Sequence, residues 1–531
     1  MADADDVHHE RDRFASWFLD AAERGNPTTQ IDRENGGRAW TDGNDVTVLI
    51  DGDSYFPEVL RELRCTESGD WIYLTDLQGD GDEQLDGPGS EVGRVLADAA
   101  RRGVTVRGLL WRSHPAGHGA AEVTNVLLSR TVNEAGGEVV LDHRVHRAGS
   151  HHQKVVVIHR ASRDTADNDV AFLGGIDLAH GRHDGPPHHG DPQPLHLSDA
   201  RYGDRPPWHD VQIRVEGPAV RQISWTFRER WLDPNPLDRP TPARAIRHAL
   251  SRKPPERGTL ADPGRSPSPR GTHAVQVLRT YPARRAAYPF AREGERSIAR
   301  AYMKAFANAR DFVYVEDQYL WSLDATDALC AALRAQPQLH CVIMIPRYPD
   351  PSGVLGAASR FGRWRVERAL TRAGGDRVAI YDLENDNGIP IYVHAKVCIV
   401  DDTWMTVGSD NLNRRSWTHD SEICCAVMDG AGDLPRDARV RLAREHLDLA
   451  EDSGGRDLDN VETWFTALCE SARGLDDWHT GGRRGPRPTG RVRAHPRDRI
   501  AAVFRPLLHL LHARLLDPDG RPRRLRHRGR Y

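Results

Sequence analysis

Lysine is nearly absent from this sequence: of 73 basic residues only four are lysine (Lys154, Lys253, Lys304 and Lys396) and 69 are arginine. Such a bias reflects coding composition more than mechanism. It turns each surviving lysine into a position worth asking about, because a compact ammonium and a planar guanidinium do different chemistry. Long apolar runs are missing as well. No stretch of about 20 apolar residues occurs, so no membrane-spanning helix is expected. The opening MADADDVHHERDRF is acidic and polar, without a basic segment leading into an apolar one, so no secretory leader is expected and the setting reads as cytoplasmic. Seven scattered cysteines without a C-x-x-C pair exclude a disulfide framework and a cysteine-bound structural zinc, and suit a reducing compartment.

What is present is a 531-residue chain, 38% hydrophobic and 28% charged, long enough for about two to four domains. Its net charge of −4 is unevenly spread. Residues 481–531 carry 15 arginines and three carboxylates, a local +12, which leaves −16 for the rest. An acidic body is poorly suited to wrapping nucleic acid, so no nucleic-acid partner is expected. The basic tail suits contact with an anionic surface.

A proline-rich stretch, SRKPPERGTLADPGRSPSPRG (251–271), divides the chain near its midpoint, and the same order of elements recurs on either side. In the first half, helical periodicity at 54–66, 90–103 and 119–135 alternates with apolar strands at 70–77, 104–111, 138–145 and 154–159. In the second, helices at 294–310, 326–336 and 356–374 alternate with strands at 312–320, 339–345, 377–383 and 396–402, read as completing a parallel series. Short, continuously apolar strands between amphipathic helices predict sheets covered on both faces. The expected organisation is an N-terminal extension (1–44), a first unit (45–250), a linker (251–271), a second unit (272–475) and a basic tail (476–531).

At matching places in the two units stands His-x-Lys: His152-Gln153-Lys154 and His394-Ala395-Lys396, which use two of the four lysines. One such tripeptide is commonplace and would ordinarily be a strand-edge histidine beside a solvated lysine. Two of them at the repeat offset, each entering an apolar strand and each followed by a glycine-bearing segment (GGID at 174–177, GSDN at 408–411), point to a shared oxyanion site. At this point the chain closely resembles the phospholipase D superfamily, whose signature is H-x-K-x4-D followed by G-S-x-N or G-G-x-D. The second copy fits with His394, Lys396, Asp401 and Gly408-Ser409-Asp410-Asn411. The first copy, with PWHDVQIRVEGPAV (207–220) and VYVEDQYLWS (313–322), is similar to two-motif plant and bacterial members over roughly residues 45–450. It departs from the pattern at His159, which replaces the closing aspartate, and in the 14 residues (160–173) before its glycines, read as a surface insertion.

The resemblance implies two fused α/β/α sandwich units related by a pseudo-twofold, with the active site at their interface. It implies a phosphodiesterase that works without metal or other cofactor through a phosphohistidine intermediate on phospholipid substrates. His152 is assigned as nucleophile and His394 as general acid/base, although the repeat symmetry leaves their order open. Lys154, Lys396, Ser409 and Asn411 would hold the non-bridging oxygens, with Asp177, Gly175 and Gly408 shaping that pocket. Each attacking imidazole needs an acceptor on its other nitrogen. Asp210, 58 residues after His152, and Glu422, 28 residues after His394, are the candidates, one in each unit. Transfer by a cardiolipin-synthase-like enzyme, a nuclease, and a catalytically silent binding protein are the rival readings, in that order.

Two further features are weighed. Loop 178–207 holds His180, His183, His188, His189 and His196 with Asp184, Asp191 and Asp199, and reads as a mobile rim rather than a metal site. For RIAAVFRPLLHLLHARLL (499–516), an interfacial membrane helix and a helix docked on the body stand level. Residues 11–24 read as an amphipathic helix packed on a domain, and the chain is expected to be a monomer.

Overall fold

A computed structural model describes residues 14–33, 35–113, 119–161, 168–193, 205–237, 257–260, 266–348, 353–430, 433–450, 457–528 and 531. Residues 251–256 and 261–265 of the expected linker, Lys253 among them, lie outside these, as do residues 11–13, His196 and Asp199.

The first unit contributes β1 (Thr41–Ile50), β2 (Trp71–Asp76), β3 (Thr105–Trp111), β4 (Glu138–Asp142), β5 (Val155–His159), β6 (Val170–Gly174), a short β7 (Trp208–His209) and β8 (Val211–Glu216). Its sheet runs β1-β8-β6-β5-β2-β3-β4. The second unit contributes β9 (His273–Tyr281), β10 (Glu295–Arg296), β11 (Phe312–Glu316), β12 (His340–Met344), β13 (Val378–Glu384), β14 (Pro390–Val393), β15 (Val397–Val400), β16 (Trp404–Gly408) and β17 (Glu422–Asp429). Its order, β9-β17-β16-β15-β11-β12-β13, repeats the first topology. The last strand, β18 (Val492–Ala494), adds to β13, so part of the tail belongs to the second sheet. Strand β1 joins the two: Asp45–Ile50 pair with β8, while Thr41 and Asn44 pair with β9 across a bulge.

The sheets are mixed, which corrects the parallel series read from the sequence. Within each unit's sheet the parallel pairs among the described residues are those of β2-β3-β4 and β11-β12-β13; β5 and β15, the strands after each His-x-Lys, run antiparallel to β2 and β11. Both kinds of strand are buried on both faces, so both show the same unbroken apolar run. Val155, Val157, Leu173 and Ile213 of one sheet share a buried cluster with Val397, Ile399, Val407 and Cys425 of the other. The outer faces bury separate clusters under helices such as Asp51–Arg64 and Val92–Arg101 in the first unit and Ser297–Asn308 and Leu323–Ala335 in the second. Phe14, Phe18 and Leu19 pack into the second unit's outer cluster with Leu278 and Ile298. All seven cysteines are unpaired, and no described helix is long and apolar enough to cross a membrane.

Candidate active site

Each His-x-Lys lies in the loop just ahead of an inner strand, and each loop is stitched by its backbone to the opposite unit. His152 N donates to Ser421 O (2.9 Å) and Ser421 N to Ser150 O (3.0 Å), while Asp420 Oδ1 accepts from Ser150 N (2.7 Å). In the other half His394 N donates to His209 O (2.7 Å), and β14 pairs in parallel with β7, Tyr392 opposite Trp208 and Val393 opposite His209.

This stitching crosses the orienting carboxylates. His152 Nδ1 bonds Glu422 Oε2 at 2.9 Å, and His394 Nδ1 bonds Asp210 Oδ2 at 2.6 Å. Sequence order had suggested one carboxylate per unit for its own histidine; the structure gives each histidine the carboxylate of the other unit. With Nδ1 donating to a carboxylate, Nε2 of each ring is the atom left for chemistry. Gly175 makes one of these contacts fit, since a Cβ there would lie 1.9 Å from Asp210 Oδ1. Gly408 does similar work against β17: its Cβ would meet Cys424 Cα at 2.7 Å.

The lysines are buried and folded the same way. Lys154 Nζ donates to His152 O (3.1 Å), and Lys396 Nζ donates to His394 O. Lys154 is also 3.2 Å from Asp177 Oδ1, so Asp177 anchors the lysine rather than facing a phosphate. Burial opposes the charge on Asp177, yet Lys154 holds it well below the usual carboxylate range. Its neighbour Asp76 is driven well above that range by burial and by Asp177. Ser409 Oγ donates to Glu422 Oε2, the oxygen that also receives His152, so in the free protein this hydroxyl braces the carboxylate. Asn411 Oδ1 is buried without a hydrogen-bond partner among the described residues.

Burial lowers the Lys396 ammonium to about 8, with Lys154 adding to the shift and Asp210 and Asp317 opposing it. His394 is held well below an ordinary imidazole, first by burial and then by Lys396 and Arg182, and is therefore neutral. Burial raises Asp210, against the pull of Lys396.

Sequence reasoning missed the side chains around these motifs. Trp208 stacks on Tyr392 (4.8 Å) and tilts against His394 (4.8 Å), the Arg182 guanidinium lies 4.1 Å above the Trp208 ring, and Gln318 Nε2 donates to Tyr392 OH (2.8 Å). Trp208 stood beside the identified Asp210, but Arg182 carried no local signal.

Behind Asp210 lies a buried cluster. His209 Nδ1 is 3.0 Å from both Asp51 Oδ1 and Glu445 Oε1, and His188 Nε2 is 3.3 Å from Glu445 Oε1 and 3.8 Å from Asp51 Oδ2. A tetrahedral cation with bonds of about 2.0–2.2 Å sets ligand–ligand edges of about 3.3–3.6 Å. These four groups have the donor types of a divalent-cation site, but the 3.0 Å contacts of His209 are shorter than that edge and are of hydrogen-bond length. The described part of the histidine-rich loop is anchored, not the mobile rim expected: Asp184 accepts from Trp208 N (2.8 Å) and Asp191 from Gly181 N (2.6 Å). His180 faces Asp82 and Glu83, while His183 and His189 face Asp53 and Asp386.

The "Phospholipase D" family model matches residues 81–326, and the "Cardiolipin synthase, PLD-like domain" model matches residues 302–434. Phospholipase D alpha 1 of Cynara cardunculus is 26% identical over 509 residues, covering 72% of this chain and 62% of that protein. Phospholipase D alpha 1 of Vigna unguiculata is 25% identical over 438 residues, covering 62% and 53%. The chain thus spans little more than half the length of these relatives. Among solved structures, phosphatidylserine synthase of Haemophilus influenzae Rd KW20 shares the fold with a TM-score of 0.53 at 15% identity, covering 85% of this chain and 99% of that one.

Proposed function

The chain belongs to the phospholipase D superfamily, and from that premise we propose that it cleaves or exchanges the head group of phospholipids through a phosphohistidine intermediate. The crossed histidine–carboxylate pairing carries this reading, because it presents two oriented imidazoles with two buried ammonium groups behind them. In the first step His152 Nε2 attacks phosphorus, the phosphorus–oxygen bond to the head group breaks, and a proton on His394 goes to the departing alkoxide. In the second, His394 takes the proton from water or an acceptor alcohol, whose oxygen displaces His152. Lys154 and Lys396 stabilise the charge on the non-bridging oxygens. A bound phosphodiester offsets the cations that keep His394 neutral, which favours protonation of the acid when the substrate is in place.

Transfer between lipids is the second reading, favoured by the match of residues 302–434 to the cardiolipin synthase domain. Both readings share the intermediate and differ in the acceptor. The test is turnover of phosphatidylcholine, phosphatidylethanolamine and phosphatidylglycerol with and without ethanol. Phosphatidylethanol is expected, and His152→Ala and His394→Ala should each reduce turnover by about a thousandfold or more with the fold intact. Near-wild-type turnover in either variant would sink the mechanism. Formation of cardiolipin in preference to phosphatidic acid would select transfer.

A further inference from the structure

The segment 499–516 is docked on the body, yet it leaves one side uncovered. Its short helical turns Ala502–Phe504, Arg505–Leu511 and His512–Leu516 follow one another without a break. Leu508, Leu511 and Leu516 pack on Ala358, Phe361 and Trp364 of the helix Gly353–Gly374. The opposite side shows Val503, Phe504, Leu507, Leu510 and Leu515 at 78, 58, 55, 49 and 55% exposure, and Val354 at the head of the supporting helix is 64% exposed. Spacings of three and four residues place Val503, Phe504, Leu507 and Leu510 on one face, and Leu515 follows in the wider helical turn His512–Leu516. A contiguous apolar face of this kind on a folded protein marks a contact surface.

Its charge indicates what it contacts. Residues 499–516 contain no aspartate or glutamate, although the chain as a whole is acidic. Among the described residues no carboxylate pairs with Arg499, Arg505 or Arg514. Arg505 instead lies over Trp364 at 4.6 Å and donates to Ile500 O. Elsewhere several of the tail's arginines are paired: Arg491 with Asp448, Arg493 with Glu384 and Asp476, and Arg524 with Glu293. Positive charge is thus left free beside the exposed leucines, the combination that an anionic lipid surface attracts.

The patch is also tied to the site. His512, on its docked side, meets Trp321 edge-on at 5.4 Å. Trp321 N and Ser322 N both donate to Leu412 O, next in the chain to Asn411. Further along, Arg415 N donates to Asp517 Oδ1 (3.0 Å) and Gly520 N to Thr418 Oγ1 (2.9 Å). The tail therefore braces the segment that follows the G-S-x-N motif.

We propose that Val503, Phe504, Leu507, Leu510 and Leu515, with Arg499, Arg505 and Arg514, form a docking face for anionic phospholipid bilayers that seats the enzyme on the surface holding its substrate. This extends the phospholipid reading above. Its test is separable from that reading, because vesicle binding is measured without turnover.

Flotation with phosphatidylcholine vesicles, with and without phosphatidylglycerol, is the experiment, on wild type, Leu507→Ser/Leu510→Ser and Arg499→Gln/Arg514→Gln. Wild type should float with phosphatidylglycerol vesicles and each double variant should bind about tenfold more weakly or worse, with circular dichroism and melting temperature unchanged. Turnover on vesicles should fall in step, while turnover of a short-chain monomeric phospholipid stays at the wild-type rate. Binding lost in the variants without turnover of any lipid by wild type supports the face and refutes the phospholipase reading. Failure of wild type to float, variants that float as wild type does, or a wild-type dimer that Leu507→Ser/Leu510→Ser dissociates would overturn the proposal.

Discussion

Lys396 shows why lysine persists in a chain that otherwise uses arginine. Its stem is buried and its ammonium reaches back to the His394 carbonyl, a geometry in which a guanidinium would have to place five donors instead of three. Burial brings the group's pKa down to about 8, so it is cationic below that pH and neutral above it. Oxyanion binding by the free enzyme should therefore weaken as pH rises past about 8. In a pH profile, kcat/KM is expected to show an alkaline limb near that value, and Lys396→Arg, which stays charged, should lose the limb along with much of the rate. A limb unchanged in Lys396→Arg would assign it to another group. Both lysines, both histidines and both carboxylates were legible in the sequence as a set. The partner of each histidine was not, because spacing along a chain carries no information about β7 pairing with β14 or Ser421 with Ser150.

The elements differ in how they close the two inner strands. In the second unit Asp401, at the end of β15 with φ 52°, accepts from Arg310 N (2.7 Å), Asp311 N (2.9 Å) and Phe312 N (2.8 Å), pinning the start of β11. In the first unit that place belongs to His159, whose Nδ1 bonds Asp169 (2.7 Å) and whose Nε2 bonds Ser224 (2.8 Å). Asp70, beside the start of β2, accepts from Ala161 N (2.8 Å) instead. The carboxylate has moved to the other side of the junction, which explains how the motif survives the replacement. Asp401→Ala removes the shared acceptor of three backbone donors and should cost about 2–3 kcal/mol, whereas His159→Ala should cost about 1–2 kcal/mol. Urea unfolding measures both, and turnover per folded molecule is expected to stay near wild type in each. A His159→Ala enzyme that is folded but inactive would give this end of β5 a role in catalysis. Strand positions were readable from their apolar runs, but strand direction was not, since burial on both faces makes parallel and antiparallel strands look alike.

At the scale of the whole molecule, one buried network joins pieces that are far apart in sequence. Arg279 on β9 bonds Glu229 of the first unit (2.6 Å), Glu295 of the second (2.6 Å) and Thr29 of the N-terminal segment (2.8 Å). Glu295 also holds Arg24 (3.1 Å), which pairs with Asp32 (2.9 Å). A guanidinium taken out of water is tolerated here only because every one of these partners is present. Removing it leaves Glu229 buried without a cation and Glu295 with Arg24 alone, so Arg279→Met should cost about 3–5 kcal/mol. If the units fold as one body through this junction and the sheet continued by β1, the loss should appear as a lower midpoint of a single thermal transition. Adding Glu229→Met to Arg279→Met relieves one stranded charge and should recover part of the loss, a non-additive cycle that distant sites would not give. Two separate transitions in Arg279→Met would show instead that the halves unfold independently once this junction is lost, despite the pairing of β7 with β14 and the cluster shared by the inner faces.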